Sequence, residues 1–162
     1  MPNKMDNLIF SEVQRFSEWF FIGVVVFILL INAYVLSQTP AEAQKTIFFS
    51  GFAIIAILIA SFYYLTVRTE VDGTGVRVSL SGMGKKFVPF EDIEAASRYE
   101  YRPLRQFGGW GIRLGAGGIM YNARGTVAVK LELKSGKPLY IGTQRVDDLL
   151  AAITPHIAGA DA

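Results

Sequence analysis

The chain contains no cysteine and a single histidine. Without thiols there is no disulfide scaffold, no thiolate metal site and no cysteine nucleophile. His156, directly after Pro155, has no partner visible in the sequence and reads as a surface residue. The motifs G-x-S-x-G and H-E-x-x-H are absent, as is any cluster of metal ligands. The three carboxylates of "EDIE" at 91–94 read as turn or strand-edge surface. The expectation is a protein that is not an enzyme and takes no cofactor. Charge is scarce in one part of the chain only. Residues 1–65 carry three basic side chains (Lys4, Arg15, Lys45) and four acidic ones, whereas the remaining 97 residues carry 13 and 10. That later part has a net charge of only +3 and no concentrated basic helix, well short of a nucleic-acid footprint.

What the first part has instead is two uncharged runs, "WFFIGVVVFILLINAYVL" at 19–36 and "TIFFSGFAIIAILIASFYYL" at 46–65. As helices they reach about 27 and 30 Å, the thickness of a hydrocarbon core. Only a helix satisfies its own backbone within one segment in lipid, so both read as membrane spans. Aromatic residues at the run ends (Trp19, Phe20, Phe21, Tyr34, Phe62, Tyr63, Tyr64) fit an interfacial belt. A buried hairpin of a soluble protein is the rival reading, but uncharged runs of this length seldom occur in cores. A cleaved signal is the rival for the first run alone, through "AEA" at 41–43; the long apolar region and acidic leader argue against it.

Basic residues set the orientation. The connector, 37–45, has only Lys45, whereas Lys4 and Arg15 precede the spans and Arg68, Arg77, Lys85 and Lys86 follow them. Both termini are therefore expected on the cytoplasmic side of a cytoplasmic (inner) membrane. Ala53, Ala56 and Ala60 share one face of the second span and are expected to form the hairpin's seam. With no ionisable group in either span, ion or proton transport has no visible machinery. From the segment 1–18 into the start of the first span, Met5, Leu8, Ile9, Phe16 and Phe20 recur at near-helical spacing. They suggest a helix lying on the membrane surface or extending the first span.

From Thr66 the pattern changes to alternation, and seven strands are expected: "TVRTEV", "GVRVSL", "KKFVPF", "IEAASRYEYR", "WGIRL", "TVAVKLELK" and "PLYIG". Asp72-Gly73 marks a tight turn. The period then becomes helical, with Val146, Leu149, Leu150, Ile153 and Ile157 forming one stripe and Pro155 kinking or ending the helix.

Through "VDGTGVRVSL", "FVPFEDIEAASRYEY", "GGWGIR", "GTVAVKLELKSGKPLYIGT" and the closing "VDDLLAAI", the chain resembles bacterial pleckstrin-homology-like (PH-like) membrane proteins, in which a two-helix hairpin precedes a cytoplasmic domain. The resemblance implies an α-helical transmembrane hairpin followed, over 66–162, by a mainly-β PH-like barrel or sandwich capped by a C-terminal helix. It implies no particular activity.

"RQFGGWGIRLGAGG" at 105–118 has six glycines and two arginines, but no helix N-terminus follows to receive a phosphate. The glycines read as turn and bend positions in a curled sheet, with Trp110 filling the barrel or anchoring a rim. Arg102, Arg105, Arg113 and Arg124, with Lys85 and Lys86 in an earlier loop, form a candidate basic surface for anionic headgroups. The blander reading, which the sequence favours, is scattered solvated charges balanced by Glu91, Asp92, Glu94 and Glu100. The expected role is a membrane-anchored scaffold for a protein partner or self-assembly; the alternative is a module binding anionic phospholipid through Lys85, Lys86, Arg102, Arg105, Trp110 and Arg113.

Overall fold

The computed structural model describes residues 8–157. It divides into a helical unit, residues 16–65, and a β unit built from the chain on both sides of it.

The helical unit is a hairpin of α1 (Glu18–Gln38) and α2 (Ala41–Tyr64). Both are long and apolar enough to cross a membrane: the stretches Phe21–Gln38 and Ala41–Ser61 have mean hydropathies of 2.2 and 1.8 and hold almost no buried residue. The turn is shorter than the expected connector of 37–45. Thr39 ends α1 with its hydroxyl on the Val35 carbonyl (2.7 Å), and Ala43 N–H bonds the Pro40 carbonyl (3.0 Å). Ala41, Glu42, Ala43, Gln44 and Lys45 are good helix formers behind a proline and extend α2 backwards.

The seam is also not the expected one. Ala53, Ala56 and Ala60 are exposed, while Gly51 is buried and Ile47, Ile55 and Leu58 are half-buried. The reason is Asn32, whose amide nitrogen lies 1.7 Å from where a Cβ on Gly51 would stand. Only glycine leaves room for that amide, so the helices meet along Gly51 rather than along the alanines.

The β unit begins before the hairpin. Leu8–Arg15 is a strand, β1, not the expected surface helix; Met5, part of that expectation, lies outside the described residues. β1 pairs antiparallel with β2 (Thr66–Asp72), so Arg15 and Thr66, the residues flanking the hairpin unit, are cross-strand partners. β3 (Gly75–Leu80) and β4 (Met83–Pro89) complete a meander in the order β1-β2-β3-β4. Its inner face carries Phe10, Val67, Val71, Val76, Val78 and Val88, all buried.

After a 3-10 turn at Phe90–Asp92 comes the second sheet, of β5 (Ile93–Glu100), β6 (Gly111–Gly115), β7 (Gly118–Asn122), β8 (Val127–Leu133) and β9 (Leu139–Gly142). Its order is β5-β8-β9-β7-β6, with β7 and β9 parallel and every other pair antiparallel. The nine strands among the described residues exceed the expected seven by β1 and β7. A short helix, α3 (Pro103–Phe107), covers one face of this sheet, where Phe107, Tyr101, Met120, Ala128 and Tyr140 pack together. α4 (Val146–Ile157) packs against β5, β8 and β1, burying Val146, Leu149, Ala152 and Ile153 as the stripe requires. It runs through Pro155, which stands in its last turn, where a missing N–H removes a single bond of the ladder.

Polar contacts hold β1 to β9 and the residues that follow it. The Glu12 carboxylate accepts from the Thr143 hydroxyl (2.5 Å), the Gln144 N–H (3.0 Å) and the Gln14 amide (3.0 Å). Gln14, buried, also donates to the Gly142 carbonyl (2.8 Å). Thr143 in turn accepts from Arg145 N–H (2.9 Å) immediately before α4.

Candidate functional site

In an antiparallel pair, residues directly opposite share a face. The register therefore places Ser11 with Glu70 and Arg77, and Val13 with Arg68 and Ser79, on the face of the first sheet away from the core. Arg77 stands opposite Phe87 of β4 on the same face. Here the structure has a groove of about 850 Å³ crossing all four strands. Leu8 and Val13 of β1 line one side of it and Phe87 the other. Between them lie Arg68, Glu70, Arg77 and the hydroxyls of Ser11 and Ser79, with Lys85 and Lys86 on the β4 side.

Local contacts fix the floor. Arg68 pairs with Glu70 at 3.5 Å. Arg77 pairs with Asp72 and lies over the Phe87 ring, 4.7 Å from its centroid. Asp72 closes the expected turn by accepting from Thr74 N–H (2.9 Å) and its hydroxyl (2.5 Å). Burial alone would raise the Asp72 carboxyl, but the Thr74 bonds and the Arg77 guanidinium outweigh it and hold the carboxyl below its usual range.

A bulge between Val78 and Leu80 interrupts the β3–β4 pairing beside Lys85, while Lys86, the next residue, stands opposite Val78. The Tyr121 hydroxyl ties that bulge to β7 by donating to the Gly84 carbonyl at 2.6 Å, and burial raises the pKa of the same hydroxyl. Gly84 itself has φ +53°, and a Cβ there would stand 2.4 Å from Ile112. Lys85 and Lys86 thus sit on a stretch of β4 whose backbone is pinned to the second sheet. Neither has an acidic partner among the described residues.

The other sequence-derived site residues lie elsewhere. Arg102 precedes α3, Arg105 is within it, Trp110 is half-buried just before β6, and Arg113 is in β6 at the edge of the second sheet. None of the four lines the groove. The structure therefore splits the expected cationic set in two, with Lys85 and Lys86 on the first sheet and the arginines beside α3 and β6. The groove residues that sequence reading missed are Arg68, Arg77, Leu8 and Val13. The outward alternation of β2 and β3 gave the arginines' face, but nothing local showed that β1 would wall it.

The glycine run is structural in this fold. Gly108 ends α3 in the left-handed region at φ +68°. A Cβ at Gly115 would lie 2.3 Å from the Gln106 carbonyl oxygen, so its absence lets α3 rest on β6. Gly118 opens β7, a strand rather than a helix. Among the described residues no three His, Asp or Glu side chains come together in a way that could hold a metal. His156 stacks on Phe90 at 4.4 Å between ring centroids. Comparison of the sequence with protein-family models and with curated proteins finds no match.

Proposed function

We propose that the chain is a membrane-anchored, non-catalytic scaffold that presents its β unit to a protein partner at the cytoplasmic membrane surface. The observation that carries the anchoring is the pairing of Arg15 with Thr66, and the groove on the first sheet is what supports a partner. A hairpin that leaves from and returns to adjacent strands of one unit is an insertion, and an apolar insertion of this length needs lipid to cover it. The exposed apolar stretches of α1 and α2 support the same anchoring. The β unit is read as PH-like on its four-stranded meander, second sheet and closing helix; the parallel β7–β9 pair departs from that pattern. The excess of basic residues outside the connector favours cytoplasmic placement of both ends of the chain.

A second reading, binding of anionic phospholipid headgroups, is favoured by one observation. Arg68, Arg77, Arg98, Lys130 and Arg145 all have carboxylate partners. Lys85, Lys86, Arg102, Arg105 and Arg113 have none among the described residues. Photo-crosslinking in native membranes from a probe at Ser79, on the groove floor, separates the readings. A defined protein adduct is expected. A monomeric chain that gives only lipid adducts would replace the scaffold with the headgroup reading.

A further inference from the structure

We propose that the groove on the outer face of the first sheet binds an extended acidic segment of the partner protein, one that alternates carboxylates with apolar side chains. This rests on the scaffold reading and names the chemistry of its partner. Charge gives the first half of the argument. Four cations, Arg68, Arg77, Lys85 and Lys86, line the groove against one carboxylate, Glu70. Arg68 and Arg77 are oriented by their own acids, which leaves Lys85 and Lys86 as the charges that lack a counterion. An anionic ligand satisfies them without displacing an existing pair.

Shape and polarity give the second half. Apolar side chains stand on both flanks, with Val13 50% and Phe87 43% exposed, and the space between spans four strands. Strands lie about 4.8 Å apart, so the flanks are separated by about 14 Å. One phosphate would meet the cations and leave both apolar flanks bare. A peptide places alternate side chains on opposite sides at a repeat of about 6.8 Å. Its carboxylates therefore reach the lysines beside Phe87 on the β4 flank, and its apolar side chains reach Leu8 and Val13 on the β1 flank.

The test uses the full chain in nanodiscs of zwitterionic lipid and three fluorescein-labelled ten-residue probes alternating Glu-Leu, Gln-Leu or Lys-Leu, followed by fluorescence anisotropy. The Glu-Leu probe is expected to bind several-fold more tightly than Gln-Leu, with a preference that shrinks as salt rises. Lys85→Glu/Lys86→Glu, at two exposed positions, is expected to abolish the preference. Val13→Ser, which removes the apolar contact without adding charge, is expected to weaken Glu-Leu while leaving the salt dependence in place. Equal binding of the Glu-Leu and Gln-Leu probes, or an unchanged preference in the lysine variant, would overturn the proposal. Displacement of the peptide when the discs are instead made with anionic lipid would also overturn it and assign the groove to headgroups. Co-elution of the chain with the disc reads anchoring separately, so failure of the membrane reading is distinguishable from failure of the groove.

Discussion

At the scale of single residues, the account turns on positions where one atom more or one charge less changes the fold. Gly115→Ala drives a methyl into the Gln106 carbonyl and the Phe107 backbone, 2.3 and 3.1 Å away. It is expected to lower stability by about 1–3 kcal/mol. Gly73→Ala meets nothing within 4 Å and is expected to change little; comparing the two by thermal unfolding separates crowding from glycine's general flexibility. Asp72 makes a prediction in pH. Its carboxyl is held below the usual range in the folded state, so its contribution is complete above the unfolded value and is lost as pH falls through the lowered folded one. Asp72→Asn should therefore flatten the acid limb of a stability–pH curve and leave the alkaline limb unchanged. Lys85 and Lys86 could be picked out from sequence because two adjacent cations in a loop-like segment are conspicuous. Arg68 and Arg77 were equally visible, but their role depends on flanks supplied by residues 8–13 and 87, and no local pattern carries that.

At the scale of elements, the hairpin was legible because lipid demands long uncharged helices, and nothing else in the chain competes with that signal. β1 was not. Its inner face is Phe10, Glu12 and Gln14, so the usual apolar alternation is broken by two polar residues whose partners lie about 130 residues away at Gly142–Gln144. β7 escaped for the opposite reason. Met120 and Tyr121 point to opposite faces yet both are buried, because α3 covers the face away from the core. Two consequences follow for β1. Glu12→Ala leaves the Thr143 hydroxyl and the Gln144 N–H without their acceptor and should cost about 1–3 kcal/mol in chemical denaturation. A fragment of residues 66–157 lacks β1 altogether and should melt with little cooperativity. The same fragment with residues 8–15 joined to Thr66 by a short turn should regain a sharp transition, since Arg15 and Thr66 are already partners.

At the scale of the whole molecule, sequence gave a hairpin followed by a β domain, whereas the structure has a β domain interrupted by a hairpin. Pairing of β1 with β2 reaches the topology expected from the basic residues by an independent route, because β1 and the strands after Thr66 must then lie on the same side of any membrane. The chain's lack of cysteine permits a direct measurement. Single cysteines at Ser11, Ala41 and Ser135, all exposed, would be tested in sealed membrane vesicles of both orientations with a membrane-impermeant maleimide. The account predicts that positions 11 and 135 label together from the cytoplasmic side and that position 41 labels only from the other. Labelling of 11 and 135 from opposite sides, or of all three from one side, would contradict it.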